Sequence, residues 1–205
     1  MKLVLATNNP HKIEEMTAIL EGLDVEIVTR DAYPDFPDVE ETGATLEENA
    51  ILKAEAIYEF TGLPSMADDS GLEVDALDGI PGVNSARYAG PGCTFADNNA
   101  KLLEALDGVP DEKRTARFRC VIAICFGKGV TKLAEGRIDG QITTDVRGRQ
   151  GFGYDPIFLI PHLGLTFAEM PPDQKNSMSH RGRAVRKARE VVEDFLSGRG
   201  NTPST

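Results

Sequence analysis

The sequence predicts an α/β fold, and two stretches of the chain carry that prediction. Residues 3–6 form a short apolar run, a helix-spaced apolar pattern follows, and residues 25–29 form a second short run. A strand, a helix and a strand in that order build a pair of buried parallel strands. The second stretch, residues 116–126 with the sequence ARFRCVIAICF, becomes continuously apolar, as central strands do.

The first two helices have recognisable start signals. Asn9 is a candidate N-cap, and Pro10 fits the first helical position. The apolar side chains of this helix then recur at helical spacing, at Ile13, Met16, Ile19 and Leu20, before Gly22 ends the pattern. A second helix is predicted over 45–60, where Thr45 and Glu48 have the spacing of a capping box.

The rest of the chain predicts shorter elements joined by turns. Residues 64–67 predict a strand, and Asp68-Asp69-Ser70-Gly71 predicts a turn that closes it. The remaining predicted elements are a loop over 75–92, a helix over 98–106, strands over 132–138 and 141–144 joined at Asp139-Gly140, a strand over 156–160 and a helix over 181–196. We expect one domain over 1–205, with a flexible tail at 197–205.

Charge and composition exclude several classes of protein. The formal net charge of −11 would repel a polyanion, so we expect no nucleic-acid partner. The first apolar run is far too short for a signal peptide, and no stretch has the length of a membrane span. Three cysteines without a CxxC pattern suit a reducing compartment. These observations predict a cytoplasmic protein with no membrane partner.

The segment Thr7-Asn8-Asn9-Pro10-His11-Lys12 has the features of an anion site. It lies where a predicted strand ends and a predicted helix begins, and the first N–H groups of a helix attract phosphate. Lys12 lies one turn inside the helix and could add a full positive charge. The alternative is a well-capped surface helix with a solvated lysine.

Acidic residues form a second candidate site. Asp68 and Asp69 follow a predicted strand, where a carboxylate could bind Mg²⁺ or orient a water molecule. Neighbouring residues of an extended strand face opposite ways, so one metal could take both only if the chain turns there. Glu41 could reach the same metal, or it could complement the helix dipole. Asn49 and Lys53 are spaced to project from one helix face.

Two further segments suit recognition of a planar, polar ligand. Gly151-Phe152-Gly153-Tyr154-Asp155-Pro156 combines aromatic rings, close-approach glycines and a carboxylate, and Phe152 is the stacking candidate. A tight turn or bulge before a strand is the alternative. Lys175, His180 and Arg181 place cations where the last helix begins, which is unfavourable for a helix unless an anion or a carbonyl group binds there.

Taken together and in this order, the segments resemble the inosine/xanthosine triphosphate pyrophosphatase family, over nearly the whole chain. The matching residues are Thr7-x-Asn9-x-x-Lys12, Glu41, Asn49, Lys53, Ala67-Asp68-Asp69-Ser70-Gly71-Leu72, Pro81-Gly82-Val83-Asn84-Ser85-Ala86-Arg87-Tyr88, Gly151-Phe152-Gly153-Tyr154-Asp155-Pro156 and Ser179-His180-Arg181-Gly182. Each motif is weak by itself, whereas all of them together in register are highly specific.

The resemblance implies an elongated α/β fold, with a long central mixed sheet flanked by helices and two lobes with a cleft between them, in a homodimer. It implies a small-molecule nucleoside triphosphate as partner and Mg²⁺ as cofactor. The implied triphosphate-binding residues are Thr7, Asn8, Asn9, Pro10, His11, Lys12 and Lys53. Glu41, Asp69 and Asp68 would serve the metal, with Asp69 as general base, and Ser70 would touch the substrate. Phe152, Gly153, Tyr154 and Asp155 would receive the base, and Lys175, His180 and Arg181 would read its 6-keto edge.

Two rival interpretations remain at this point. A pyrophosphatase for modified pyrimidine nucleotides, on a related fold, would open with a Ser-x-Ser-x-x-Arg pattern where this chain has Thr7-x-Asn9-x-x-Lys12. A regulator that binds nucleotides without hydrolysing them would keep the pocket and lose the acids, but Glu41, Asp68 and Asp69 are all present.

Overall fold

The computed structural model describes residues 1–199, except for the side chain of His11. Its five described helices are α1 Pro10–Leu20, α2 Leu46–Thr61, α3 Phe95–Ala105, α4 Pro172–Met178 and α5 His180–Leu196. Its eight described strands are β1 Lys2–Leu5, β2 Glu26–Val28, β3 Ser65–Val74, β4 Pro81–Gly82, β5 Thr115–Gly127, β6 Val130–Ile142, β7 Phe158–Ile160 and β8 Leu165–Thr166. The predicted flexible tail lies mostly outside the described residues.

The strands form one mixed sheet, which confirms the predicted α/β class. The strand order is β2-β1-β3-β5-β6-β7-β8, and β4 pairs with β3. β1 pairs in parallel with both β2 and β3, while β7 pairs antiparallel with β6 and β8. The β-α-β opening is therefore present as predicted, with Leu3 opposite Ile27 in the parallel pair.

The predicted turn at Asp68-Asp69-Ser70-Gly71 is wrong. β3 continues without a break from Ser65 to Val74, and most of its side chains are buried. The sheet supplies hydrogen-bonding partners along this strand, so pairing overrides the local turn preference of Asp, Ser and Gly. Asp68 and Asp69 consequently lie on a regular strand, where adjacent side chains point to opposite faces.

The predicted break at Asp139-Gly140 is also wrong, because β6 is one continuous strand from Val130 to Ile142. Gly140 has a packing role instead of a turn role. A Cβ atom at this position would lie 2.5 Å from the carbonyl oxygen of Leu159 and 2.7 Å from the ring of Phe158. Only glycine allows β7 to approach this closely.

Three helix assignments need correction. α3 begins at Phe95, earlier than predicted, because Thr94 and Asp97 form a complete capping box. At α2 the Thr45 hydroxyl accepts from the backbone N–H of Glu48, as predicted, but the Glu48 carboxylate accepts from the backbone N–H of Ala44. The short helix α4 was not predicted, and it contains Lys175.

The described chain divides into two compact units. Unit 1 comprises residues 1–69, 120–136 and 181 onward, and unit 2 comprises residues 70–119 and 137–180. Each unit buries its own apolar cluster. Leu3, Met66, Ile122 and Val185 belong to the cluster of unit 1. Leu72, Leu102, Phe158 and Phe167 belong to that of unit 2. The prediction of a single domain stays a prediction.

No helix within residues 1–199 combines the length and the apolar character that crossing a bilayer requires.

Candidate active site

The loop between β1 and α1 forms one end of the candidate site in unit 1. The backbone N–H of Asn9 donates to the Thr7 hydroxyl at 3.3 Å, and α1 begins at Pro10. The side-chain amide of Asn8 donates to Asp38 at 3.2 Å. The N–H groups of the first turn of a helix have no partners within the helix, so this junction can bind a phosphate.

Asp68 lies at the centre of a buried ion network in the same unit. Its carboxylate is 2.7 Å from Lys12 Nζ and 3.8 Å from Arg181 Nε. Arg181 also donates to Glu15 of α1 at 2.7 Å. α1, β3 and the first turn of α5 are thus joined through one carboxylate whose side chain is fully buried.

The charge state of Asp68 follows from these neighbours. Burial by itself would raise the pKa of Asp68, but the positive charges of Lys12 and Arg181 outweigh burial and lower the pKa to about 2. Burial by itself would lower the pKa of Arg181, but nearby negative charge, that of Asp68 above all and also that of Glu15, raises it. Asp68 is therefore ionised at neutral pH and orients two cations.

Asp69, the next residue of β3, belongs to a different cluster. Its carboxylate oxygens lie 3.3 Å from Lys53 Nζ and 3.2 Å from Asn49 Nδ2. Lys53 also donates to Glu41 at 2.7 Å. Asn49 and Lys53, four residues apart on α2, therefore converge on one carboxylate, and Lys53 links it to Glu41.

The electrostatics of this cluster distinguish Asp69 from Asp68. Burial raises the pKa of Asp69, the charge of Lys53 opposes that rise, and the negative charge of Glu41 adds to it. The pKa of Asp69 is therefore shifted upwards whereas that of Asp68 is shifted downwards. A carboxylate with a raised pKa is better suited to take up a proton.

Glu41 and Asp69 are the residues best suited to hold a divalent cation. Within residues 1–199, no group of three or more His, Cys, Asp or Glu side chains is gathered closely enough to bind a metal ion alone. Mg²⁺, however, is commonly held by one or two carboxylates together with substrate phosphates. The mutual repulsion of Glu41 and Asp69 also fits a site that gains from an added positive charge.

A segment of unit 2 holds the second group of predicted site residues. The Asp155 carboxylate accepts from the backbone N–H of Phe152 at 2.8 Å and from Lys175 Nζ at 2.6 Å. Asp155 approaches Gly151 so closely that any side chain at 151 would clash with it, and Gly151 has a φ of +75°. Glycine at 151 is thus required by both space and backbone conformation.

Aromatic rings surround this buried ion pair. Lys175 Nζ lies 4.9 Å from the centroid of the Phe152 ring and 5.7 Å from that of Phe167. His180 is buried and stacks on Phe118, with centroids 4.6 Å apart and planes 11° apart. Phe118 in turn stacks on Phe167 at 6.0 Å. Lys175 and His180 are consequently members of one aromatic cluster.

Tyr154 and Ser70 differ in their exposure. The Tyr154 ring is buried, its hydroxyl donates to the Ser85 carbonyl at 2.9 Å, and burial raises its pKa. Ser85 belongs to the 81–88 motif, so this hydrogen bond connects two of the motifs seen in the sequence. Ser70 follows Asp69 on β3 and is partly exposed.

The predicted residues are thus distributed over the two units. Unit 1 contains Thr7, Asn8, Asn9, Pro10, Lys12, Glu41, Lys53, Asp68, Asp69 and Arg181. Unit 2 contains Ser70, Phe152, Gly153, Tyr154, Asp155, Lys175 and His180. Arg181, predicted to act with His180, contacts Asp68 and Glu15 in unit 1. The side chain of His11 lies outside the described residues, and the predicted common cleft stays a prediction.

Sequence reasoning missed several residues that touch these clusters. Glu15 pairs with Arg181, and Phe118 and Phe167 surround Lys175 and His180. Asn99 donates to the Gly153 carbonyl. The pair Asn98-Asn99 was a usable signal, because asparagine is a poor residue for the interior of a helix. The others look like ordinary core or surface residues until the chain is folded.

The chain is similar to proteins of known family along nearly its full length. The model of the Ham1 family matches residues 3–191. A dITP/XTP pyrophosphatase of Desulforamulus reducens is 53% identical over 192 residues, which cover 94% of this chain and 96% of that protein. A dITP/XTP pyrophosphatase of Geobacter sulfurreducens is 50% identical, covering 97% and 98% of the two chains.

Solved structures agree with these sequence relationships. The structure of a HAM1 protein from Coxiella burnetii superimposes with a TM-score of 0.90 at 42% identity, covering 95% of this chain and 99% of that one. The Ham1 protein of Staphylococcus aureus gives a TM-score of 0.87 at 40% identity, covering 95% and 100%. These relationships establish that the chain belongs to the Ham1 family.

Proposed function

We propose that the protein hydrolyses non-canonical purine nucleoside triphosphates, namely ITP, dITP and XTP, to the nucleoside monophosphate and pyrophosphate. In the cell this reaction would remove deaminated purines from the nucleotide pool. The observation that carries the proposal is the Glu41-Lys53-Asp69 cluster, in which one lysine of α2 contacts a carboxylate of β3 and a carboxylate from the loop before α2. The names of the relatives as dITP/XTP pyrophosphatases support it.

The residues of unit 1 suit the binding of a triphosphate. Thr7, Asn8, Asn9, Pro10 and His11 supply the turn into α1, whose N-terminus favours negative charge. Lys12 and Lys53 supply full positive charges. Asp68 holds Lys12 in place and takes no part in the reaction. Its proposed role is therefore to position Lys12, and not to bind the metal.

Asp69 is the proposed general base. It accepts a proton from a water molecule whose oxygen forms a bond to the α-phosphorus. The bond between the α-phosphorus and the bridging oxygen breaks, and pyrophosphate leaves with that oxygen and its electron pair. Lys53 stabilises the negative charge that builds up on the phosphates, and most of the acceleration comes from positioning and charge stabilisation.

Magnesium is the proposed cofactor, with Glu41 and Asp69 as its protein ligands. When bound, Mg²⁺ neutralises part of the triphosphate charge and helps to orient it. A chelator should therefore abolish pyrophosphate release, and added Mg²⁺ should restore it. Full activity after exhaustive chelation would remove the metal from the proposal.

The residues of unit 2 suit the recognition of a purine. Phe152 offers an aromatic face for stacking, and the 152–155 segment offers backbone groups to the base. Lys175 and His180 are the donors proposed for the 6-keto oxygen, and Ser70 is a further proposed substrate contact. Arg181, which belongs to unit 1, is also proposed to contact the substrate. Adenine carries an amino group in place of the 6-keto oxygen. Its N–H donors would face the donors of Lys175 and His180 without an acceptor between them, so adenine would bind poorly.

Two features of the working enzyme extend the proposal. We infer a homodimer located in the cytoplasm. Size-exclusion chromatography with light scattering tests the first, because a dimer should elute at twice the mass of the chain.

Steady-state kinetics over a panel of triphosphates tests the proposed activity. ITP, dITP and XTP should each release equimolar pyrophosphate and monophosphate, while ATP is turned over at least tens of times more slowly. Modified pyrimidine triphosphates should also be poor substrates. Comparable rates for ITP and ATP would refute the specificity, and the absence of pyrophosphate release from every member would refute the activity.

A further inference from the structure

Helix α3 packs two side chains against the segment proposed to receive the base. Phe95 and Asn99 are four residues apart, so they lie on the same face of this helix. The Phe95 ring is 6.1 Å from the Phe152 ring at an angle of 41°. The side-chain amide of Asn99 donates to the carbonyl oxygen of Gly153 at 3.1 Å. All four residues belong to unit 2.

The presence of asparagine at position 99 does not stabilise helix α3 itself. Asparagine is a poor helix former, and only 6% of this residue is exposed. Its second polar atom, Oδ1, is buried without a hydrogen-bond donor among the described residues. Burying such an acceptor is unfavourable. The hydrogen bond to Gly153 is therefore the contribution that Asn99 makes.

Gly153 is a point where the orientation of Phe152 can be controlled. On one side of Gly153, the Phe152 N–H is held by Asp155. On the other side, the Tyr154 hydroxyl is held by the Ser85 carbonyl. The Gly153 backbone has a φ of +63°, and glycine adopts many conformations easily. The hydrogen bond from Asn99 fixes the peptide group that would otherwise be the most adaptable part of the segment.

We propose that α3, through Asn99 and Phe95, positions the base-binding segment and thereby sets the preference for 6-keto over 6-amino purines. Asn99 holds the Gly153 carbonyl, and Phe95 supports the ring of Phe152. Both are positioning residues, since their contacts are to the segment. The inference rests on the proposed function, because it assigns the 152–155 segment to the base.

The physical reason concerns the geometry of selective hydrogen bonds. A hydrogen bond to the keto oxygen weakens steeply when the angle or distance is wrong. The segment holds one of the proposed keto donors, because Asp155 accepts from Lys175 Nζ at 2.6 Å and the centroid of the Phe152 ring lies 4.9 Å from the same atom. A loosened segment therefore misplaces Lys175 and loses a bond that favours ITP. ATP does not make that bond and has little to lose. Contacts to the triphosphate are the same for both nucleotides, so they cancel when the two substrates are compared.

The test compares ITP and ATP on Asn99→Leu and Asn99→Asp. Leucine removes the donor, and aspartate sets a carboxylate against the Gly153 carbonyl. In both variants KM for ITP should rise about tenfold with kcat nearly unchanged, the loss typical of one misplaced hydrogen bond. The kcat/KM for ATP should stay within about twofold of the parent value. The ITP-to-ATP ratio, which is kcat/KM for ITP divided by kcat/KM for ATP, should therefore fall about tenfold.

Asp97→Ala is the matched control. It removes the carboxylate that accepts from the backbone N–H and the hydroxyl of Thr94, so it breaks the capping box and weakens the same helix without touching Gly153. Its melting temperature should fall while the ITP-to-ATP ratio stays unchanged. Phe95→Ala is the second variant. Because 52% of Phe95 is exposed, the replacement should fold, and it should lower the ratio about threefold, as expected for one aromatic contact.

The possible outcomes separate this inference from the proposed function. If the unmodified protein does not prefer ITP, the proposed function itself fails. If it prefers ITP but Asn99→Leu lowers kcat/KM equally for ITP and ATP, or Asp97→Ala lowers the ratio as much as Asn99→Leu does, the positioning role is overturned. If both Asn99 variants fail to fold, Phe95→Ala decides, and an unchanged ratio overturns the inference.

Discussion

The site residues of unit 1 and those of unit 2 are held by different kinds of interaction. In unit 1, the three carboxylates of Glu41, Asp68 and Asp69 interact with three cations, Lys12, Lys53 and Arg181. In unit 2, a single buried ion pair, Asp155 with Lys175, is enclosed by aromatic rings and by backbone hydrogen bonds. Charge–charge interactions dominate in unit 1, whereas aromatic packing and directional hydrogen bonds dominate in unit 2.

Under the proposed function, this difference would allow one enzyme to combine broad and narrow recognition. Charge acts over several ångströms and does not distinguish one triphosphate from another. Hydrogen bonds and stacking act over short distances and depend on angle, so they can distinguish a keto group from an amino group. Variants in unit 1 should therefore change the rate for every nucleotide, and variants in unit 2 should change the preference among nucleotides.

The largest effect is expected from Asp69→Asn. The variant keeps the shape of the side chain and loses the proton acceptor, so kcat should fall on the order of 10³-fold. Binding of ITP, followed by calorimetry, should persist. Glu59→Gln, an exposed acid on α2, serves as the control and should keep full activity. Near-normal turnover in Asp69→Asn would exclude Asp69 as the base.

The next effect is on stability and concerns Asp68→Asn. This change leaves Lys12 and Arg181 without their shared anion in a buried setting, and removing one partner of a buried pair costs about 3 kcal/mol or more. Urea unfolding measures the loss. Asp38→Asn removes one partner of the exposed pair with Arg30 and should cost less than about 1 kcal/mol. Equal losses would contradict the structural role of Asp68.

A smaller effect is expected from one substitution placed in each unit. Lys12→Met removes a positive charge from the phosphate site, so kcat/KM should fall about tenfold or more for ITP and ATP alike. Lys175→Met should lower kcat/KM for ITP by a similar factor and leave that for ATP almost unchanged. The measurement is the ratio of kcat/KM for ITP to kcat/KM for ATP in each of the two variants. If both variants lose activity on ITP and ATP equally, the proposed assignment of triphosphate binding to unit 1 and base recognition to unit 2 is wrong.

The smallest effect is expected from Phe152→Leu. Leucine keeps an apolar side chain and loses the aromatic face, which is worth about 1 kcal/mol in stacking. KM for ITP should therefore rise about fivefold, with kcat preserved. Phe60→Leu, an exposed ring in unit 1, is the control and should leave KM unchanged. An unchanged KM in Phe152→Leu would show that the base does not stack on this ring.

Much of the architecture followed from local sequence signals. The β-α-β opening, the start of α1 at Pro10 and the long strand β5 were all predicted, because apolar periodicity and helix caps act over a few residues. The predicted turns at 68–71 and 139–140 failed for the opposite reason. Turn-forming residues lie there in paired strands, where hydrogen bonds to neighbouring strands outweigh local preference.

The sequence alone determined which chemical groups this protein carries and in what order, and this order sufficed to recognise the family. Only the tertiary structure decided how those groups are partnered. Asp68 and Asp69 are neighbours with the same side chain, yet the alternation of β3 directs one to Lys12 and Arg181 and the other to Lys53 and Asn49. Their pKa values therefore move in opposite directions, because a charge responds to what surrounds it in space.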